Sequence, residues 1–478
     1  METPSPTPTD ETQEDCTQNP VILSRSEHPI SRSQINPNAL RVLYRLSSLG
    51  HKAYLVGGGV RDLLLGKTPK DFDIATDARP SKIKKHFGNS RIIGRRFRIA
   101  HVFFPNGDLV EVATFRSGSQ ETIVTSRGKT ILRDNVYGTP EEDARRRDLT
   151  INGLFYDIST FSILDYVNGV RDLRAGIVRT IKDPDASFAE HPVRMIRVQR
   201  HACRTAFTIE SNTWDAIVRN NALVTQANPS RLLEEMLKDL RSGAAEPYFR
   251  QILDSGLLDA LLPPLAAQLR EGGSEHPLWR RLRALDECNR SGSSYTTPLL
   301  MGVLLHTTLL PAEYWEGERN NPPNAWGAML EQIRQITTTV RVSRRDTERM
   351  LQVLISYRKL VVSIERDKLP HLLQSKPYLS EALDFLEIDL LSKACSTEKI
   401  TAWRDHAVPP ASASPYLTVL DRDRADAPDE NAARRGGDRH GKSREGKDAP
   451  RKRRRRRRSS RKQKASDTPP QDSPPSTG

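Results

Sequence analysis

Residues 54–76 read YLVGGGVRDLLLGKTPKDFDIAT. A short apolar run, three glycines, a helix-forming run and two alternating acids admit few folds. The Gly-Lys-Thr at 66–68 imitates the end of a phosphate-binding loop, but that loop also needs a glycine five places before Gly66, where Arg61 stands. The dinucleotide fingerprint fails too, because Gly57-x-Gly59-x-x arrives at Asp62. What remains is a strand over 54–56, a glycine turn, a helix opening over 60–62, and a second strand carrying Asp71 and Asp73. Strand side chains alternate, so Asp71 and Asp73 are predicted on one face, with Phe72 and Ile74 on the other.

Two carboxylates side by side on a rigid strand repel each other unless a divalent cation lies between them, and oxygen ligands favour Mg²⁺. Glycines at the turn let a triphosphate approach bare backbone N–H groups, in the positive field of the helix that follows. Nucleotidyl transfer uses both features: one ion activates an attacking hydroxyl and another steadies the leaving pyrophosphate. An isolated Asp-x-Asp would read instead as turn or edge-strand acids, so the rest of the chain has to decide.

The chain has 478 residues, of which 36% are hydrophobic, which suits two or three packed units with disordered ends. No window offers the ~18 uncharged apolar residues of a membrane helix. The N-terminal METPSPTPTDETQEDC carries acids where a signal peptide carries lysines. A soluble, cytoplasmic protein is expected. Cys16, Cys203, Cys288 and Cys395 lie far apart with no Cys-x-x-Cys, against both a disulfide framework and a structural zinc site. Between Asn431 and Lys464 there are seventeen Lys or Arg and three acids, an excess equal to the whole net charge of +14. RKRRRRRR at 451–458 lacks apolar residues to fold with, and should stay solvated until a polyanion such as RNA meets it.

Periodicity divides the chain into a disordered arm (1–35), a mixed α/β head (36–182), a helical neck (183–245), a helical body (246–408) and a disordered basic tail (409–478). NPNALRVLYRLSSLG at 36–50 opens the head as a helix stopped by Gly50. PSRLLEEMLKDLRSG and VSRRDTERMLQVLISY are predicted helices capped by Ser230 and Ser343. Thr139-Pro140-Glu141-Glu142 is a strong helix start, predicting Asp148 on the helix that follows. Glu111, alternating with Val110 and Val112, could face the metals as a third carboxylate.

A glycine turn thirteen residues before the Asp-x-Asp is the arrangement of the DNA polymerase β-like nucleotidyltransferases. LVGGGVRDLLLG, KDFDIAT, GRRFRIAHV, EVATFR, RRRDLTINGLFYD, DYVNGVRDL and HPVRMIRVQR follow in order over roughly residues 40–245. Together they resemble the class II tRNA nucleotidyltransferase and bacterial poly(A) polymerase family. GRRFRIAHV, the insertion RDNVYGTPEEDARRRD and the arginine-rich C-terminus are similar to the poly(A) polymerase branch.

The resemblance implies an α+β fold, with a mixed-sheet head followed by an all-helical body. It also implies transfer of AMP from ATP to RNA 3′ ends, of mRNA and other RNAs. Asp71 and Asp73 would be catalytic and hold Mg²⁺, with Asp148 as a further catalytic acid and Glu111 its competitor. Gly58, Arg61, Arg147, Arg194 and Arg197 would bind ATP, and Arg200 continues the same spacing. The family's helix after the head begins Glu-Asp-x-x-Arg, and its aspartate and arginine read the base; here His191 stands for that aspartate. Neutral imidazole can donate or accept where a carboxylate only accepts, so His191 either reads the base or merely caps the helix. Rival readings are a CCA-adding tRNA nucleotidyltransferase and a catalytically inactive RNA-binding protein; partners among RNA-degradation or RNA-chaperone proteins are unspecified.

Overall fold

The computed structural model describes residues 19–94, 98–117, 121–124, 130–133, 136–310, 314–315, 325–366 and 368–404. The arginine-rich tail, and residues 95–97 of the GRRFRIAHV block, lie outside the described residues.

The head is built on strands β1 (Val21–Leu23), β2 (Ala53–Val56), β3 (Asp73–Thr76), β4 (Ser90–Ile93), β5 (Ile99–Phe103) and β6 (Leu109–Thr114). After a separate hairpin, β7 (Glu121–Val124) with β8 (Thr130–Arg133), come β9 (Leu154–Asp157) and β10 (Ser162–Asp165). Eight strands join in the order β1-β10-β9-β2-β3-β6-β5-β4. Within that sheet only β3 and β6 run parallel, so the sheet is mixed.

Alternation decides which side chains go inside. Val110 and Val112 of β6 are buried, while Leu109 and Glu111 face outward. One sheet face buries Leu55, Ile74 and Val112 against Leu43 and Leu46 of α1 (Pro37–Ser48). The other face carries a smaller aromatic cluster of Tyr54, Phe115 and Phe155.

Order begins earlier than position 36. β1 adds an edge to the sheet by pairing with β10, and Ser24/Glu27 and Ser31/Gln34 each close a capping box. Ile30, between the two boxes, and Ile35, just after the second, are buried. The Ser/Pro-rich composition of the arm concealed a three-residue apolar strand and two Ser-x-x-Glu/Gln signals. For residues 19–35, the expected disordered arm is therefore corrected.

The helices that position the site are α2 (Gly58–Leu64), α3 (Pro80–His86), α4 (Pro140–Arg145), α5 (Gly169–Ala175), α6 (Pro184–Glu190), α7 (Val193–Thr205), α8 (Ser211–Asn220), α9 (Pro229–Leu240) and α10 (Ala245–Asp254). Gly66 has φ +69 just past α2, so the Gly-Lys-Thr is a helix exit. The cap of α9 is Asn228, whose side chain accepts from Ser230 and Arg231 amides; Pro229 takes the first helical position, moving the start ahead of Ser230. Ser343 does cap the long helix Arg344–Glu365. That helix packs against Thr297–Leu309 and Leu379–Ser392, and Pro277–Arg290 packs on both of those, to form the body. No helix among the described residues is long and apolar enough to cross a membrane.

Candidate active site

A cavity of about 950 Å³ lies where the glycine turn and the acids of the head face α7 and α9 of the neck. Gly57 enters the turn with φ +71, the left-handed region that glycine adopts without a Cβ penalty. A Cβ there would stand 3.0 Å from Arg147 Nη1, and one at Gly59 would stand 3.3 Å from the Asp71 carbonyl. The glycines thus let a guanidinium and the backbone next to the acids close in on the turn. Gly58 opens α2, and Arg61 is buried one turn on. Its Nη1 donates to Asn152 Oδ1 at 2.7 Å and lies 3.0 Å from His201 Nδ1, while Nη2 donates to Asp62 at 2.7 Å.

Asp73 starts β3 opposite Val56, and Asp71 lies two residues earlier, just outside the ladder. Neither side chain has a hydrogen bond or ion pair among the described residues. Glu111 comes from β6, next to β3 in the sheet. Burial, then Glu111, then Asp71 push the Asp73 carboxyl up to about 6. Glu111 is held below its ordinary value, chiefly by His101, whose Nε2 is 3.3 Å away. Among the described residues no group of three or more His, Cys, Asp or Glu side chains is arranged to hold a metal ion. The donor set nevertheless fits Mg²⁺: two unpaired, mutually repelling hard oxygen donors beside the glycine turn.

Asp148 is not on a helix. α4 ends at Arg145, and the chain then turns so that the Asp148 carbonyl accepts from Ile181 N and Leu149 bridges to Thr180. Those backbone bonds to the segment before α6 outcompete helix continuation. The Asp148 carboxylate accepts from Arg197 Nε at 2.5 Å and from Leu149 N at 3.0 Å. Burial would raise its pKa, but Arg197 and His201 outweigh burial and hold it well below the usual carboxylate range. Asp148 and Glu111 both line the cavity, each already engaged by one basic side chain.

The arginines expected to bind ATP differ in what they leave free. Arg147 donates to Asp143 at 2.9 Å and stacks over Phe155, which aims it at the glycine turn. Arg194 donates to Ser187 Oγ at 2.9 Å, Glu190 at 3.4 Å and the Arg146 carbonyl at 3.2 Å. Three of its five N–H groups are used, leaving Nε–H and one Nη2–H. Arg200 lines the cavity as the spacing predicts, but it is buried, ion-paired with Glu235 and Asp239, and clamps α7 to α9. His191 ends α6, and Pro192 precedes α7 with no side-chain cap, so the imidazole caps nothing there. Half-exposed at the cavity wall, it has its pKa pushed below the ordinary histidine value by partial burial and then by Arg194.

Sequence reading missed Asn152 and His201, which link Arg61 to Asp148 and α7. His201 could have been found as the next position on the helical face begun by Arg194 and Arg197. Cys203 is half-buried, donates to Gln251 Oε1 at 3.2 Å, and has its thiol pushed up to about 12 by burial.

Residues 53–179 match the family described as "Poly A polymerase head domain", and residues 206–269 that described as "Probable RNA and SrmB- binding site of polymerase A". The chain is 46% identical over 259 residues to Poly(A) polymerase I of Salmonella typhimurium, covering 53% of this chain and 56% of that one. It is 35% identical over 219 residues to the CCA-adding enzyme of Lactobacillus helveticus, covering 46% and 53%. The match thus spans about half the length of these curated relatives. Among solved structures, the CCA-adding enzyme of Bacillus stearothermophilus in complex with CTP has the same fold, with TM-score 0.53 at 23% identity over 78% of this chain and 82% of that one.

Proposed function

The head of the chain matches the poly A polymerase family, and from that premise we propose that the protein is a template-independent polynucleotide adenylyltransferase, adding AMP from ATP to RNA 3′ ends. The observation that carries this reading is the pair of uncompensated carboxylates, Asp71 and Asp73, beside a glycine turn in a cleft rich in arginines. Asp71 and Asp73 would hold Mg²⁺. The bound ion would lower the pKa of the RNA 3′-hydroxyl and neutralise charge on the α-phosphate. The 3′-oxygen bonds to the α-phosphorus, the bond to the bridging oxygen breaks, its electron pair leaves with pyrophosphate, and the hydroxyl proton passes to solvent.

The protein's share is positioning. The turn at 57–59 offers bare amides to the triphosphate, and Arg147 sits over it. Arg197 and Asp148 fix each other, and Asp148 can accept from the nucleotide sugar. Arg194 keeps two N–H donors for adenine's ring nitrogen, while neutral His191 accepts from the amino group. If His191→Asp leaves the preference for ATP over CTP unchanged, His191 does not read the base.

The rival is CCA addition, favoured by the likeness to a CCA-adding enzyme in sequence and fold. Extension on a denaturing gel, with ATP or CTP, on a tRNA lacking its end and on an unrelated RNA, separates the two. A long ladder with ATP on both RNAs is expected; arrest after a CCA end would establish the rival, and no extension would leave an RNA-binding protein.

A further inference from the structure

Most cations of the cleft are already committed. Arg61 serves Asp62, Asn152 and His201, Arg146 and Arg147 serve Asp143, and Arg200 serves α9. Lys70, Arg204 and Arg231 line the cavity with no side-chain hydrogen bond or ion pair among the described residues. Lys70 adjoins Asp71, and Arg231 acts on His191 at the end of the cleft where the base would lie. Arg204 stands at the opposite end. It follows His201, the neighbour of Arg61, by one turn on α7, and its carbonyl accepts from Lys67 Nζ at 3.5 Å, which sets the end of α7 against the exit of α2. Its side chain is exposed, with Arg61 and Arg200 disfavouring its charge and Asp62 and Asp239 favouring it.

Arg204 and Ser242 also line a second cavity of about 530 Å³, so the two cavities meet at these residues. The acids of the second cavity are engaged elsewhere. Asp286 caps α10 through Ala245 N at 2.6 Å and Glu246 N at 2.9 Å, and Glu246 accepts from Arg250 Nε at 2.6 Å. Arg290 donates to the Gly243 carbonyl at 2.7 Å, with Asp286 as its nearby counter-charge.

We propose that Arg204 binds the outer phosphates of the nucleotide and the pyrophosphate split from it, and that the second cavity is the route by which this pyrophosphate leaves. A guanidinium presents a planar fork of donors that matches phosphate oxygens. The reaction places the departing electron pair, and hence the growing negative charge, on the two outer phosphates. The inference rests on the nucleotidyl-transfer reading above.

Calorimetric titration of the full chain with pyrophosphate, ATP and AMP, in buffer containing Mg²⁺, tests the assignment. Arg204→Ala should weaken pyrophosphate and ATP by about 10- to 100-fold, the loss of one or two charge-assisted hydrogen bonds, and leave AMP unchanged. Arg204→Lys should fall between. Pyrophosphate binding equal to wild type in Arg204→Ala overturns the proposal, and so does an equal loss of AMP, which would mean general damage to the cleft. If the wild-type chain extends no RNA while pyrophosphate affinity still depends on Arg204, adenylyl transfer fails and the phosphate site stands.

Discussion

The two walls of the cleft treat charge in opposite ways. On the head wall Asp71 and Asp73 repel each other with no counter-charge bonded to them, and the Asp73 carboxyl is driven up to about 6. On the neck wall the acids are matched, Arg197 with Asp148, Arg200 with Glu235 and Asp239, Arg194 with Glu190, while Arg204 and Arg231 stay unpaired among the described residues. Compensated charge holds α7 in place; uncompensated charge costs folding energy and is retained where a ligand supplies the missing sign.

Breaking the neck wall should therefore damage the fold first. Arg200→Ala strands two buried acids, and a chemical-denaturation series should show a loss of about 3–5 kcal/mol. Asp148→Asn removes the partner of the largely shielded Arg197 without changing shape. It should cost about 1–3 kcal/mol and lower the extension rate together with ATP affinity, measured by denaturation and by single-turnover kinetics.

The body holds a third arrangement that sharpens the contrast. His306 is buried against Trp315, Tyr357 and Phe385, and neither ring nitrogen has a hydrogen-bond partner among the described residues. Burial, and then Arg281, drive its pKa well below the ordinary histidine value, against the opposing pull of Asp389; Lys393 adds to the lowering. Because the folded state disfavours the proton, this contribution to stability is intact above the unfolded pKa of about 6.5. It declines as pH falls below that value, by up to about 1.4 kcal/mol per unit. His306→Phe should flatten the thermal midpoint between pH 7 and 5; an unchanged slope would place the acid sensitivity elsewhere. The smallest effect on the fold should come from deleting 431–478, which should leave the midpoint unchanged while lowering RNA affinity and reducing the slope of affinity against salt.

The head was readable because its signals are local. Three glycines, an Asp-x-Asp and the alternation of β6 each specify a backbone shape within a few residues, and β2, α2 and β3 follow them. β1 was missed because three residues carry no periodicity, and an edge strand takes its stability from a partner, β10, more than a hundred positions away. The position of Asp148 was misread for a related reason: the capping box correctly started α4, but its end is set by pairing with residues 180 and 181. Arg197 and Arg200 look equivalent on a helical face and both line the cleft, and only the tertiary placement of Glu235 and Asp239 makes Arg200 the buried clamp.

Asp73→Asn, with RNA extension and thermal midpoint measured on one preparation, tests the central claim that the head wall's charge serves chemistry and not folding. Extension should fall by about 10³-fold or more as several kcal/mol of transition-state stabilisation are lost, with the midpoint unchanged or raised because a repulsion is relieved. Extension near the wild-type rate, or lost only in step with a collapsing midpoint, would contradict it.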